Sequence, residues 1–341
     1  MTKTFQLQNC PITLGPLEES FPEWLQKQAY SQVFIIVDTN TEIHCLPLFL
    51  QKTGLDRDTS KAVIKAGEEY KILHVCKKIW AKMADAGLER SALVINLGGG
   101  VIGDMGGFCA ATWKRGIDFV QVPTTLLAMT DAAIGGKVGV DFQGVKNVIG
   151  LFQQPTAVFA DPQFLKTLPE RELKSGYAEV IKHAQISQSF QATAEFPENW
   201  FDILSKSIAV KVNIVEQDPT EKGMRMLLNF GHTIGHALES FYLHSERLLT
   251  HGEAVAIGMI CELPEGKRRL ELAELITKIY PHRHIPEDVI PQIWALMQSD
   301  KKRSSGKVRM AMPDDQAYSL LTLEATEANV ANGIAFYNSL A

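Results

Sequence analysis

Histidine and glutamate side chains on separate helical patterns suggest a metal site. His232 and His236 are four residues apart, which places both imidazoles on one face of a helix. His251 begins a second helical pattern, and Glu179 lies in a third, where Ser175 has the character of an N-cap. Three nitrogen or oxygen ligands with one open position are typical of a catalytic zinc ion. Spacing alone favours His232 and His236 as the imidazole pair, but it equally fits two histidines bonded to backbone carbonyls.

A glycine-rich turn is the second candidate site. The apolar run over residues 92–97 leads into a G-x-G-x-x-G pattern at residues 98–103, and a helical pattern of small residues follows. Glycines there let the backbone approach a pyrophosphate, whose charge is met by helix N-terminal N–H groups. Asp118 stands where a ribose-binding acid is expected, but it precedes the next strand, so Asp38 is the better candidate. The alternative is a glycine-rich turn that binds nothing.

Cationic and amide side chains occur in apolar or small-residue settings. Two glycines precede Lys137, an arrangement suited to delivering one ammonium group to an anion. The other positions are Lys146, Asn147, Lys182, Lys211, Arg225 and Asn229. Scattered lysines usually face solvent, and each one taken alone fits that interpretation. Together they predict a substrate with phosphate, carboxylate or both, because an anionic ligand offsets the cost of gathering cations.

The elements that must position these residues change character along the chain. Short β-rich runs at 33–37, 92–97, 119–122 and 156–160 alternate with helical patterns, which predicts a parallel α/β sheet. One of these helices is expected over residues 69–86, before Gly87. Beyond Pro162 the patterns are helical, at 173–185, 200–215, 224–242, 253–261 and 270–280. We therefore expect an α/β domain followed by an all-α domain.

Length and charge narrow the class of protein. The chain has 341 residues, of which 45% are hydrophobic, and this length suggests two domains. Its net charge of −5 lacks the basic excess of a nucleic-acid-binding protein. The N-terminal residues show no apolar signal segment, and no apolar run is long enough to span a membrane. Five scattered cysteines form no C-x-x-C pair, so we expect buried free thiols in a cytoplasmic protein.

Six segments resemble, in order, the motifs of the 3-dehydroquinate synthase family. They are GGGVIGDMGGF, RGIDFVQVPTTLLAMTDAAIGGKVGV, KNVIG, SGYAEVIKHA, EKGMRMLLNFGHTIGHALE and HGEAVAIGM. The resemblance covers nearly the whole chain. It implies a dehydroquinate synthase-like fold, with an α/β NAD-binding domain over residues 1–161 and a helical metal- and substrate-binding domain over residues 162–341. It also implies a homodimer.

The activity implied by the resemblance is that of a phosphorus–oxygen lyase of the shikimate pathway. Such an enzyme converts 3-deoxy-D-arabino-heptulosonate 7-phosphate into 3-dehydroquinate and phosphate, on the route to chorismate and the aromatic amino acids. The implied cofactors are NAD and Zn²⁺, or Co²⁺ in its place. The implied partner is a small sugar-acid phosphate, with neither nucleic acid nor membrane involved.

The resemblance also implies roles for individual residues. Glu179, His232 and His251 become the metal ligands, and His236 becomes a substrate residue. The dinucleotide would contact Asp38, Glu68, Lys71, Gly99, Gly100, Val101, Ile102, Gly103, Asp104, Thr124, Thr125, Lys137, Lys146, Phe164 and Thr167. The substrate would contact Asp131, Lys137, Asn147, Lys182, Lys211, Arg225, Asn229 and His236, with Arg115 supplied by the neighbouring subunit. Lys301 or Lys302 would meet the phosphate.

The chain departs from the family pattern at several positions, and other classes of protein share its expected features. Ala132 and Ala133 replace serines that are common in the family, and the segment after Met259 is shortened around Pro264. An NAD- and metal-dependent polyol dehydrogenase shares the expected cofactors, and so does a cyclase for another sugar phosphate. A nucleotide-binding protein without catalytic activity is a third alternative.

Overall fold

The structure is a computed structural model that describes residues 1–143, 145–243, 245–301 and 307–341. The chain forms two compact units. The first contains Met1–Pro169 and Asn199–Glu216, and the second contains Glu170–Glu198 and Gln217–Ala341. The chain thus leaves the first unit, returns to it for one segment, and leaves it again.

The first unit is built on a seven-stranded sheet with the strand order β1-β2-β9-β6-β5-β3-β4. Only β1 and β2 pair antiparallel in it, and the remaining pairs are parallel. A separate antiparallel hairpin joins β7 to β8. The strands are β1 Lys3–Leu7, β2 Cys10–Leu14, β3 Val33–Asp38, β4 Lys61–Ile64, β5 Leu93–Gly98, β6 Asp118–Pro123, β7 Lys137–Phe142, β8 Val145–Phe152 and β9 Ala157–Ala160.

The four strands expected from the sequence are confirmed as β3, β5, β6 and β9, and so is the parallel α/β arrangement. All six residues of β5 are buried, because helices cover both faces of a parallel sheet. This burial explains why the sequence signal is a continuous apolar run rather than an alternating one.

Six helices of the described residues belong wholly or largely to the first unit. They are α1 Phe21–Gln26, α2 Thr39–His44, α3 Leu46–Thr53, α4 Leu73–Asp85, α5 Gly100–Thr112 and, from the returning segment, α7 Phe201–Gln217. Of these, α2, α4 and α5 contact strands of this sheet. The helix expected from residue 69 begins later, at Leu73, so its predicted start is wrong. The reason is that the carbonyl of Lys71 accepts a hydrogen bond from the N–H of Asp141 in β7, which holds the chain extended there.

The second unit is mainly helical, as expected. Its helices are α6 Glu170–Ser187, α8 His232–Tyr242, α9 His251–Glu262, α10 Lys267–Ile279, α11 Ile290–Lys301 and α12 Glu327–Asn338. It also contains an antiparallel hairpin of β10 Arg309–Pro313 and β11 Leu320–Glu324, which the sequence analysis did not anticipate. None of the helices in the described ranges has the length and apolar character needed to cross a membrane.

Two expectations for the second unit are corrected. The single helix predicted over residues 224–242 is a 3-10 turn, Met224–Asn229, followed by α8. Gly231 separates them, because its φ of +79° is left-handed and interrupts the helix. Ser175 is not an N-cap, since α6 already begins at Glu170, and its hydroxyl instead accepts a hydrogen bond from the N–H of Gly252.

The five cysteines are buried free thiols, as predicted. Burial raises the pKa of Cys10 to about 12, because the thiolate would lose its hydration. The same effect raises the pKa of Cys261 to about 12. These thiols serve the structure as small apolar side chains rather than as nucleophiles.

Candidate active site

A fully buried carboxylate lies at the centre of the second unit. Glu179, on α6, has no exposed surface, and its carboxylate makes an ion pair with Lys182 one helical turn later. The Lys182 ammonium also donates a 2.7 Å hydrogen bond to the carbonyl of Leu228. Burial alone would raise the pKa of Glu179, but Lys182, His251 and His232 together outweigh burial and hold the pKa well below its usual value. The carboxylate is therefore ionised and needs cations around it.

Two imidazole nitrogens face this carboxylate. Oε1 of Glu179 lies 3.5 Å from Nε2 of His232 and 3.7 Å from Nε2 of His251. These separations are too long for hydrogen bonds. Two ligands bound about 2.1 Å from a tetrahedral zinc ion are separated by about 3.4 Å, so the spacing matches neighbouring positions around one metal. Within the described part of the chain, Oε1 of Glu179, the oxygen that faces both imidazoles, forms no hydrogen bond, which is the condition expected of a metal ligand.

The second ring nitrogens of these histidines are held by oxygen acceptors. Nδ1 of His232 donates to the carbonyl of Phe230 at 3.1 Å, and Nδ1 of His251 lies 3.3 Å from a carboxylate oxygen of Glu239. Because carbonyl and carboxylate oxygens only accept, the proton of each neutral ring belongs on Nδ1. When its ring is neutral, each histidine then presents the lone pair of Nε2 toward Glu179, as in histidine ligands backed by an oxygen acceptor.

The environments of the two imidazoles differ in charge. Burial, with the positive charge of Lys182 added, lowers the pKa of His232 well below its usual value. Burial also acts against charge on His251, but the carboxylates of Glu179 and Glu239 outweigh it and raise its pKa to about 9. The two imidazoles therefore differ in how readily they take up a proton.

His236 lies one helical turn after His232 and is near both other rings. The ring centroids of His232 and His236 are 5.0 Å apart, and those of His236 and His251 are 5.7 Å apart. The ligand atoms of the three histidines all lie within 4.8 Å of one another. The structure thus brings together the pair favoured by spacing and the set implied by the resemblance. His236 differs from the others in being exposed.

Two polar side chains of the turn before α8 have hydrogen-bond partners within the second unit. Arg225 is buried, and its guanidinium donates a 2.7 Å hydrogen bond to the carbonyl of Pro219. The amide of Asn229 donates to the carboxylate of Glu221 at 2.6 Å. Sequence reasoning did not single out Glu221, or Glu239 behind His251, although both lie inside the quoted motif of residues 221–239. Lys302 lies outside the described residues, and so does the side chain of Lys301.

The glycine turn of the first unit joins β5 to α5. The N-cap of α5 is Gly99, which provides no side-chain cap, so the first N–H groups of the helix are open to an anion. The turn contains the predicted contacts Gly99, Gly100, Val101, Ile102, Gly103 and Asp104. The N–H of Thr124, after β6, donates to the carbonyl of Gly98 and thereby holds the neighbouring loop against the turn.

A buried lysine lies beneath the glycine turn. The ammonium of Lys71 contacts the carboxylate of Asp104 at 2.5 Å and the side-chain oxygen of Asn147 at 2.6 Å. Burial acts against the charge of Lys71, but the carboxylates of Asp104 and Glu68 outweigh it and raise its pKa. Burial also raises the pKa of Asp104, and Lys71 offsets this effect only in part. Asn147 reaches Lys71 from a backbone with a φ of +52°.

Other predicted nucleotide contacts are spread over several loops of the first unit. Asp38 is the N-cap of α2, and one of its carboxylate oxygens accepts from the N–H groups of Asn40 and Thr41. Thr125 caps the turn that follows it, through the N–H of Ala128. Phe164 is buried, whereas Thr167 is exposed and donates to the carbonyl of Phe164. Lys146 lies 3.6 Å from a carboxylate oxygen of Glu68.

The returning helix α7 brings one cation to the first unit. Lys211 is buried, and its ammonium contacts the carboxylate of Asp131 at 2.5 Å. Lys137 is the exposed first residue of β7. Arg115 is exposed in the turn after α5, where Lys114 and Arg115 have φ angles of 48° and 72°. Two successive non-glycine residues in the left-handed region mark a strained turn, as is often found at functional positions.

Comparisons with known proteins agree with this geometry. The 3-dehydroquinate synthase N-terminal family model matches residues 61–175, and the C-terminal model matches residues 176–303. A 3-dehydroquinate synthase from Parabacteroides distasonis is 36% identical over 337 residues, covering 94% of this chain and 95% of the relative. Another from Rippkaea orientalis is 46% identical over 288 residues, covering 77% of each.

Solved structures with the same fold share less of the sequence. A 2-deoxy-scyllo-inosose synthase in complex with carbaglucose-6-phosphate, NAD⁺ and Co²⁺ has a TM-score of 0.82 and 24% identity, covering 98% of this chain and 99% of that one. A 2-epi-5-epi-valiolone synthase from Streptomyces hygroscopicus, with NAD⁺ and Zn²⁺ bound, has a TM-score of 0.80 and 24% identity, covering 99% of each chain. These likenesses confirm the dehydroquinate synthase-like fold, and the family models and relatives show that the chain belongs to the 3-dehydroquinate synthase family.

Proposed function

We propose that this protein converts 3-deoxy-D-arabino-heptulosonate 7-phosphate into 3-dehydroquinate and inorganic phosphate, as a phosphorus–oxygen lyase of the shikimate pathway. Relatives that are 36% and 46% identical bear the name of this enzyme, and the first of them spans nearly the whole chain. The substrate is a sugar phosphate, and loss of its phosphate ends in closure of a carbocyclic ring. The reaction is redox-neutral overall.

The observation that most supports the proposal is the convergence of three ligand atoms in the second unit. We assign Glu179, His232 and His251 as the ligands of a divalent cation, Zn²⁺ or Co²⁺. Their separations of 3.5 and 3.7 Å and the fixed Nδ1 protons fit such an ion, and so does the absence of a hydrogen bond to Oε1 of Glu179 among the described residues. His236 is then left for the substrate.

NAD⁺ and the divalent cation have different chemical roles. When bound, NAD⁺ accepts and returns a hydride, and the divalent cation favours ionisation of a substrate hydroxyl. We assign the nucleotide to the turn of residues 99–104 and the surrounding contacts inferred from the resemblance. Because Gly99 has no capping side chain, the first N–H groups of α5 can bind the pyrophosphate. Lys71 holds the carboxylate of Asp104, the last residue of the turn, in place.

The remaining assigned residues bind and orient an anionic substrate. We assign Lys211 and Arg225 to its carboxylate, with Asp131 holding Lys211 in place. Lys137, Asn147 and Arg115 are assigned to its phosphate, Arg115 coming from the second subunit of a homodimer. Lys182, Asn229 and His236 are assigned to its hydroxyl groups. In such a site the protein contributes mainly orientation and fixed positive charge, which favour departure of phosphate.

We also place the enzyme in the cytoplasm. The support is indirect: the five cysteines are free thiols, and free thiols are typical of proteins from reducing compartments.

The test is to incubate the purified protein with NAD⁺, Zn²⁺ and the heptulosonate phosphate while phosphate and 3-dehydroquinate are measured together. The proposal requires both products in equal amounts without net formation of NADH. Lys137→Ala is expected to reduce phosphate release severely while Zn²⁺ binding is retained. Accumulation of NADH would indicate a polyol dehydrogenase, and turnover of a different sugar phosphate alone would indicate another cyclase.

A further inference from the structure

The helix that contains His232 has no N-cap side chain of its own. Its N-cap is Gly231, which makes no side-chain cap hydrogen bond. The first N–H groups of any helix lack partners within the helix and need acceptors from elsewhere. This requirement is acute here, because the start of α8 is buried. A neighbouring element must therefore supply the acceptors.

Glu262, the last residue of α9, supplies them. Its side chain is buried, with 2% exposure, and its two carboxylate oxygens are used separately. Oε2 accepts from the N–H of Gly231, and Oε1 accepts from the N–H of Ile234, both at 2.8 Å. In a capping box these two bonds are made by the N-cap side chain and by the third helical residue. Here one carboxylate from another helix makes both.

One peptide group connects this carboxylate to the imidazole of His232. The N–H of the peptide between Phe230 and Gly231 donates to Glu262, and the carbonyl of the same peptide accepts from Nδ1 of His232. The peptide is planar, so fixing its N–H also fixes its carbonyl. Hydrogen bonds in such a chain polarise one another, which strengthens the bond to Nδ1. The orientation of His232 thus depends on Glu262.

We propose that Glu262 is a positioning residue for His232, acting through the peptide of residues 230–231, and that it sets the affinity of the site for its cation. This inference rests on the proposed function, because it takes His232 as a metal ligand. His251 has a corresponding carboxylate in direct contact, Glu239. The helix α9 then has two roles, since its first residue is a ligand and its last residue holds the other imidazole in place.

The test is the Zn²⁺ affinity of the metal-free protein, measured by competition with a chelating dye. Replacing the partner behind a metal-bound histidine typically weakens binding by about 10–100-fold, and this is the loss expected for Glu262→Ala. Glu262→Gln keeps an acceptor oxygen but loses the charge, so a smaller loss is expected. If the alanine variant does not fold, the Zn²⁺ affinity of the Glu262→Gln variant tests the proposal by itself. The absorption bands of bound Co²⁺ are expected to shift in both variants, because the geometry at His232 changes.

Thr326→Ala is the matched control. Thr326 makes the same type of capping box at α12, with its hydroxyl accepting from the N–H of Asn329, and none of the proposed ligands lies in that box. This variant is expected to lose stability toward urea but to bind Zn²⁺ normally. The inference is wrong if the Glu262 variants lose stability in the same way and bind Zn²⁺ as tightly as the wild type.

Glu179→Gln separates this inference from the proposed function. If this variant also binds Zn²⁺ as tightly as the wild type, the ligand assignment itself fails. If it loses Zn²⁺ while the Glu262 variants keep it, only the role of Glu262 is refuted.

Discussion

Replacing Gly258 by alanine tests the contact that joins the two histidine-bearing helices. Gly258 lies on α9 against the backbone of Gly231, the N-cap of α8. A Cβ atom at position 258 would lie 1.9 Å from the carbonyl oxygen of Gly231, where ordinary contact begins at 3.4 Å. A backbone oxygen cannot rotate away as a side chain can. The helices must therefore separate locally by about 1.5 Å, the difference between these two distances.

The expected cost follows from this displacement. Overpacking of a core position lowers the free energy of unfolding by about 1–3 kcal/mol, and the upper end applies here because the clash is with a backbone atom. Alanine stabilises the helix by about 1 kcal/mol relative to glycine, so the net loss of folding stability is about 2 kcal/mol. Metal sites tolerate ligand displacements of only about 0.2 Å, so a shift of 1.5 Å between the helices of His232 and His251 should cost at least 100-fold in Zn²⁺ affinity.

The assays are urea unfolding of the metal-free protein and competition for Zn²⁺ with a chelating dye. Gly100→Ala is the control, because Gly100 lies in α5, its φ is not positive, and a Cβ there meets only Ala132, at an ordinary distance of 3.5 Å. This control should match the wild type in both assays. If Gly258→Ala also matches the wild type in both, the close approach of α8 and α9 does not set the metal site.

Three further outcomes are expected. Glu179→Gln should weaken Zn²⁺ binding at least about 100-fold by dye competition, because the ionised ligand is lost; unchanged binding would contradict its assignment. Lys71→Met should destabilise the protein by about 2 kcal/mol at pH 8, because the half-buried carboxylate of Asp104 loses its ion-pair partner. The loss should shrink at pH 4, since the pKa of Asp104 is raised further and its protonated form needs no cation; equal losses in urea unfolding at both pH values would refute this. Cys10, with its pKa near 12, should resist alkylation at pH 8 until urea is added, as peptide mapping can show. The unfolded chain ionises this thiol above pH 9 and the folded chain does not, so the free energy of unfolding should fall only as the pH rises from 9 toward 12.

Much of the fold could be predicted because its signals are local. The continuous apolar run of β5 and the glycines after it specify a buried strand, a turn and a helix within a short segment. The prediction of one helix over residues 224–242 failed for a related reason. Apolar periodicity continues across Gly231, and only tertiary contact shows that this glycine takes a left-handed conformation. The β10–β11 hairpin was missed because the helical patterns around it dominated the interpretation of that half of the chain.

The candidate site was less accessible to local reasoning. Spacing on one helix identified His232 and His236, since a helical repeat is visible in the sequence. The approach of Glu179 to His232 depends on the packing of α6 against α9 and against the turn before α8, and no local pattern encodes it. The resemblance supplied that residue, whose assignment as a ligand stays a prediction until metal binding is measured. Neither the helical spacing nor the resemblance identified Glu262, because an acidic residue at a helix end ordinarily faces solvent.

The first unit consists of two separate segments of the chain, which limits where the gene can be cut to give an intact unit. The segment Asn199–Glu216 belongs to that unit although the residues before and after it belong to the other. A fragment that stops at Pro169 would lack α7, so Asp131 would be left without Lys211 and the apolar face of α7 would be missing from the fragment. No single crossover between homologous genes can exchange one unit intact, because each unit consists of two segments and both must come from the same parent.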